Sequence, residues 1–311
     1  MSFRIDDGVP CVTSIDGRQE STDDMAAPRG TRDNIDLVNE VRKIFVAKNW
    51  PIDESETSGI EGPFERTMRM LTQLNEEEIN LILKLLGRFV RIELDQYTSA
   101  MSKIVSSIVD DISPVRVVIV PIKSSKDSRD RRSKSGDLMG IIARTAFSGL
   151  SIRVDAFSDL DAGPIQTMMG KPGSYVLGVD DFIGTGRTAV SFIDDYLARF
   201  PGRLSQLRLA SLVSLERGAS AIGDRGCGLY CVHKMGRAIS DCSIWSLSAK
   251  SKYLSAMAEI ESRIGISHEY HLGYGKSEGL VKMLRTPNNT FPIFWATKIY
   301  NGAPWPATFP R

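Results

Sequence analysis

From about residue 31 to 111 the apolar positions recur at helical spacing. Ile35, Val38, Val41, Ile44 and Phe45 line one face of a helix that reaches Trp50 and ends at Pro51. Residues 64–74, 75–90 and 92–111 repeat the pattern, the second stretch opening on an acidic EEE turn that suits a helix N-terminus. At Val115 the texture changes. VRVVIVPI is short, continuous and β-branched, as expected of a strand buried on both faces. Comparable runs near 150–154, 175–179, 207–213 and 229–233 alternate with amphipathic stretches near 138–147, 188–200 and 216–224. That alternation predicts an α/β fold with a doubly wound parallel sheet, preceded by an N-terminal helical domain. The expected organisation is a flexible tail over 1–30, helices over 31–113 and the α/β core over 114–311. Near the end, a short helix is expected over 277–284. A non-helical tail rich in Pro and Trp follows, packing Phe291, Phe294 and Trp295 against the core.

Composition bounds the partners more than it names them. The 311 residues are 42% hydrophobic and 25% charged with a net charge of +1, an ordinary globular balance with no global field toward nucleic acid or membrane. No apolar run is long enough to span a bilayer and the N-terminus lacks a signal-peptide core, so a cytoplasmic location with no membrane partner is expected. Cys11, Cys227, Cys231 and Cys242 match neither a disulfide framework nor a paired zinc motif, and His268 with His271 lacks a third ligand at useful spacing. Neither zinc nor haem is expected.

Residues 176–189, VLGVDDFIGTGRTA, concentrate the chemistry. An apolar strand leads into two adjacent carboxylates and then a Gly/Thr turn entering a helix. Open α/β sheets bind ligands at the carboxyl ends of their strands. Gly184, Thr185, Gly186 and Thr188 allow close backbone approach and supply hydroxyl donors, and a helix start presents unpaired N–H groups to a phosphate. Asp180 and Asp181 can accept hydrogen bonds from vicinal ribose hydroxyls, or hold Mg²⁺ directly or through water. The turn has neither the spacing of a triphosphatase loop nor the GxGxxG of a nicotinamide-dinucleotide fold.

The string resembles the motif by which type I phosphoribosyltransferases bind phosphoribosyl diphosphate (PRPP). That resemblance implies a sheet of the same kind, Mg²⁺ as cofactor, ribose contacts by Asp180 and Asp181, and a 5′-phosphate held by Thr185, Gly186, Arg187 and Thr188. Enzymes of this type acting on 6-oxopurines carry an acid just before the TGxT turn; Gly184 stands there, which disfavours purine salvage. The loop 123–134 holds six basic residues against Asp127 and Asp130, and follows the first core strand. Its place matches the loop that grips diphosphate in such enzymes, with Ser124 and Ser125 donating to phosphate oxygens and Lys123 neutralising leaving-group charge.

DDFIGTGRTA, SEGLV and TPNNTFPIFW together are similar to a bacterial conflict-system phosphoribosyltransferase-like family found in antiphage loci. The likeness covers about residues 115–311. It implies a retron-type toxin effector of antiviral defence, acting by ribosyl transfer on PRPP or a nucleotide-like ligand. The implied partners are a reverse transcriptase, its RNA/DNA product and a winged-helix protein. Glu278, Asn288 and Asn289 become secondary candidates for walls of the ligand site. A metabolic nucleobase transferase and a noncatalytic PRPP or nucleotide sensor remain open alternatives.

Overall fold

The computed structural model describes residues 34–52, 61–123, 135–160 and 163–311. The expected tail over 1–30, and Ser124 and Ser125, lie outside them. Helices α1 (Asn34–Ala47), α2 (Pro63–Leu71) and α3 (Glu76–Leu86) come first, followed by a two-residue strand β1 (Val90–Arg91) and the long helix α4 (Leu94–Ile112). Helix α3 starts on a reciprocal cap. The Asn75 side chain accepts from the Glu78 N–H at 3.0 Å, while the Glu78 carboxylate accepts from the Asn75 N–H at 2.9 Å.

Five parallel strands then build the central sheet: β2 (Arg116–Pro121), β3 (Arg153–Ala156), β4 (Ser174–Ile183), β5 (Leu207–Leu215) and β6 (Gly228–Met235), in the spatial order β3-β2-β4-β5-β6. Helices α5 (Ser135–Ala146), α6 (Gly163–Met169), α7 (Arg187–Arg199) and α8 (Glu216–Gly223) connect them. The two-residue period of the strands divides the core. Val117, Ile119, Leu177 and Val179 pack with α4 and α5, whereas Val118, Val120 and Val176 pack with α6, α7 and α8. The sheet is therefore covered on both faces, as its continuous apolar strands require.

A third apolar cluster joins the two ends of the chain. Leu37, Val41 and Phe45 of α1 and Leu81, Ile82, Leu83, Leu85 and Leu86 of α3 share it with Phe291, Phe294, Trp305 and Phe309. Phe309 lies 4.9 Å from Phe89 and 5.4 Å from Trp50, centroid to centroid, and Phe294 lies 5.1 Å from Phe89. Helix α9 (Leu247–Arg263) closes the same cluster with Met257 and Ile260, and Arg263 forms a two-pronged pair with Glu78 at 2.9 Å.

Three departures from the sequence reading have physical causes. Helices α6 and α9 were not signalled, because α6 is two turns long and α9 buries only Met257, Ile260 and Glu261 along 17 residues. The helix expected over 277–284 is replaced by extended chain. Lys276 and Glu278 take φ of +54° and +48°, which no right-handed helix tolerates. Strand β7 (Val281–Lys282) pairs in parallel with β1, so hydrogen bonds to a segment far away in sequence override the local preference. Finally, β4 extends beyond Val179 and carries both aspartates inside the strand.

Candidate functional site

Strands β2 and β4 are neighbours, and from them the chain departs to opposite sides, to β3 and to β5. This is the point in an open α/β sheet where a crevice opens at the carboxyl ends of the strands. Lys123 follows β2 there, and Asp180, Asp181 and the glycine turn end β4.

Strand alternation separates the two carboxylates. Asp181, 7% exposed, turns toward α4, where the Tyr97 hydroxyl donates to its Oδ2 at 3.4 Å. Tyr97, itself 1% exposed, accepts from the Leu284 N–H at 2.9 Å, so one phenol connects the acid to both halves of the chain. Asp180 Oδ1 accepts from the Ser135 hydroxyl at 3.0 Å and from the Asp181 N–H at 2.9 Å. Burial, and then the charge of Asp181, push the Asp180 carboxyl well above its ordinary range; burial raises Asp181 too. Burial followed by the Asp181 charge likewise raises the Tyr97 phenol. The ionised pair is costly as it stands, and a cation or hydroxyl donors brought by a ligand relieve that cost. Tyr97 and Ser135 escaped the sequence reading. Nothing in helical periodicity distinguishes a tyrosine that meets an acid from one that fills a core.

Beyond the strand, Gly186 caps α7 with φ +80° and no side-chain partner, which leaves the first-turn N–H groups of α7 without a cap. A Cβ on Gly186 would lie 3.0 Å from the Gly218 carbonyl oxygen, so the turn is held against α8 as closely as glycine permits. Gly184 is equally tight. A Cβ there would stand 2.4 Å from Oδ1 of Asn289, whose amide donates to the Tyr274 carbonyl at 3.2 Å and to the Ser277 hydroxyl at 2.8 Å. The neutral Asn289 amide thus fills the space into which a side chain at 184 would project. Thr185 lies beside Gly275, and Arg187, exposed at the start of α7, donates to the Tyr274 hydroxyl.

The remaining sequence candidates are placed less centrally. Lys123 Nζ donates to Asp137 Oδ1 at 2.6 Å and to the Ser158 carbonyl at 3.3 Å, along the first turn of α5. Asn288 is half-buried and its carbonyl accepts from the Tyr274 N–H at 2.8 Å. Thr188 is exposed on the first turn of α7. Glu278, 2% exposed, accepts from the N–H groups of Ile239 and Ser240 at 2.9 and 2.8 Å and from the Ser240 hydroxyl. Glu278→Ala strands one buried and two part-buried donors and is expected to cost about 3 kcal/mol. A thermal melt reads this as a fall of roughly 6–12 °C; an unchanged melt would remove the anchoring role.

Among the described residues no three His, Cys, Asp or Glu side chains converge on one point. The two aspartates fit Mg²⁺ nonetheless, since that ion is commonly bound by one or two carboxylates together with substrate phosphates and water. No helix among the described residues is long and apolar enough to cross a membrane.

A five-stranded parallel sheet in this order, with an acidic pair and a Gly/Thr turn at its switch point, defines an α/β fold of the type I phosphoribosyltransferase kind. More narrowly, the chain belongs to the PRTase-CE family, whose profile matches residues 68–311. No curated protein matches the sequence. Solved structures similar to parts of it include an APRTase from Giardia lamblia complexed with 9-deazaadenine, at 19% identity over 44% of this chain and 78% of that one, with a TM-score of 0.30. A hypoxanthine-guanine-xanthine phosphoribosyltransferase is 14% identical over 45% and 74%, with a TM-score of 0.28. A hypothetical protein from Neisseria gonorrhoeae with bound ppGpp is 13% identical over 47% and 84%, with a TM-score of 0.30.

Proposed function

We propose that this chain binds PRPP or a related ribosyl phosphate and transfers its ribosyl group as the toxin effector of a bacterial antiphage defence system of the retron type. The observation that supports ligand binding most directly is the placement of two charge-strained carboxylates beside an uncapped helix start at the sheet's switch point. In this reading Asp180 and Asp181 orient the ribose hydroxyls, and Thr185, Gly186, Arg187, Thr188 and the first N–H groups of α7 hold the 5′-phosphate. Lys123 exchanges Asp137 for the departing diphosphate, which needs the positive charge more. Mg²⁺ held by the two aspartates and the ligand's own oxygens would neutralise charge on the diphosphate. With Gly184 where an acid would stand and the neutral Asn289 amide beside it, no general base occupies that point among the described residues. The acceptor is therefore one whose nucleophile does not depend on a base there. The defence partners, a reverse transcriptase with its RNA/DNA product and a winged-helix protein, follow from the family likeness.

PRPP labelled in the ribose, incubated with the protein, Mg²⁺ and a desalted bacterial lysate as the source of acceptor, tests the reading, with label transferred to an acceptor and diphosphate released as the expected result. Affinity is expected to rise with pH as the acidic pair ionises, because both carboxyls must lose protons to hold Mg²⁺. Tight binding without turnover would instead make the chain a sensor, a role with which the missing base at 184 agrees. Growth arrest on induction that survives Asp180→Asn/Asp181→Asn would remove the pair from the toxic mechanism.

A further inference from the structure

Between the glycine turn and the end of the chain, three aromatic rings lie in a row with a guanidinium group at each end. The Arg187 guanidinium lies 5.4 Å from the centroid of the Tyr274 ring. Tyr274 is 6.1 Å from Tyr270, Tyr270 is 6.0 Å from Trp295, and the Arg311 guanidinium lies 5.7 Å from a Trp295 ring. Arg217, at the start of α8, donates to the Gly275 carbonyl at 2.8 Å and flanks the same path. The three rings are half-buried and Arg187, Arg217, Arg285 and Arg311 are exposed. Among the described residues none of these four arginines forms an ion pair. Burial, and then the neighbouring Arg285 charge, hold the Arg311 guanidinium below its ordinary range, so two cations stand close together. On a chain whose net charge is +1, this is a local concentration of charge.

Unpaired guanidiniums call for anions, and a row of part-exposed rings calls for flat apolar partners. A phosphodiester strand with unstacked bases satisfies both at once: its phosphates meet the arginines, and its bases stack on tyrosine, tryptophan and guanidinium planes. An acidic peptide meets the charges but not the rings. A duplex hides its base faces, and half-buried rings cannot reach into it. We propose that the surface from Arg187 through Tyr274, Tyr270 and Trp295 to Arg311 and Arg285 binds single-stranded nucleic acid. Stacking and phosphate contact do not read the sugar, so DNA and RNA strands both bind. This surface shares only Arg187 with the proposed phosphate site, and its binding needs neither aspartate nor Mg²⁺, so it is tested independently of the PRPP reading.

Fluorescence anisotropy of the full chain with a fluorescein-labelled single-stranded 20-mer, in deoxyribose and ribose form without Mg²⁺, tests it across a salt series. The exposed double variant Arg285→Gln/Arg311→Gln is expected to flatten the plot of log affinity against log salt by about 1.4, from roughly 0.7 per phosphate contact on single strands. Tyr274→Leu is expected to weaken binding by about 5-fold or more with the slope unchanged. Base stacking also quenches Trp295 fluorescence, a signal that Trp295→Phe removes and that does not depend on the folding of the other variants. Equal affinity for the duplex of the same sequence, equal competition by polyglutamate, or a slope untouched by the double variant overturns the proposal.

Discussion

Asp180→Asn is expected to raise the melting temperature at pH 7.5 while weakening Mg²⁺–PRPP binding by about 100-fold or more. Asparagine keeps the carbonyl oxygen that accepts from the Ser135 hydroxyl and the Asp181 N–H, so both hydrogen bonds survive. What disappears is the carboxyl whose ionisation beside Asp181 is costly. Burial, and then the Asp181 charge, raise the folded-state pKa of Asp180 above its ordinary 3.8, and burial raises Asp181. For an acid whose folded pKa lies above its unfolded one, the native state binds the extra proton. Stability is then full below the unfolded pKa and falls as pH climbs through the folded one. Glu261 acts in the same sense: burial lifts its pKa from 4.5 to about 8, so its share declines across that window. Wild type should therefore melt highest in mild acid and lose stability toward pH 8. Asp180→Asn flattens that decline, by about 2–4 °C for each kcal/mol of repulsion removed, and Glu261→Gln flattens its upper part. Calorimetry between pH 5 and 9 with titration of Mg²⁺–PRPP reads both effects. A variant that melts below wild type at pH 7.5, or that keeps wild-type affinity, would contradict the assignment.

Gly184→Ala is expected to destabilise the protein by about 1–3 kcal/mol, the cost of overfilling a packed space. The added methyl would stand 2.4 Å from the Asn289 oxygen, and the Asn289 amide is fixed by Tyr274 and Ser277. Asn289→Gly alone removes two hydrogen bonds and also destabilises. Combined with Gly184→Ala it removes the clash, so the double variant should be more stable than the sum of the single effects predicts. Thermal melts of the four proteins give the coupling, and simple additivity would show that Asn289 is not what Gly184 accommodates. Gly184→Glu meets the same obstruction. Installing the acid that 6-oxopurine enzymes carry at this place is expected to displace the 273–289 segment rather than create a purine site.

Much of the core was legible in local pattern. The β-branched runs announced the parallel strands, and their alternation with amphipathic stretches announced helices on both faces. The Gly/Thr turn was legible because close approach and a helix start require particular residues over a few positions. Helix α9 was less legible, since among its 17 residues only Met257, Ile260 and Glu261 are buried, and its ends are tied by the Ser246 cap and the Arg263–Glu78 pair. The 277–284 segment misled because SEGLV carries ordinary local propensities while its conformation is set by β1 and by Glu278 reaching Ile239 and Ser240.

By itself, then, the sequence determined the α/β class, the alternation of the core strands with their flanking helices and the Gly/Thr turn after β4, because these depend on periodicity and short-range chemistry. Only the tertiary structure decided what surrounds the turn. Tyr97 meets Asp181 across 84 residues and Leu284 across 187. Asn289 comes to rest on Gly184, and the arginines and rings of the C-terminal segment assemble beside Arg187. Those contacts join segments whose separation along the chain carries no local signature; they exist because burying Phe291, Phe294 and Phe309 against the N-terminal helices brings the end of the chain back over the sheet.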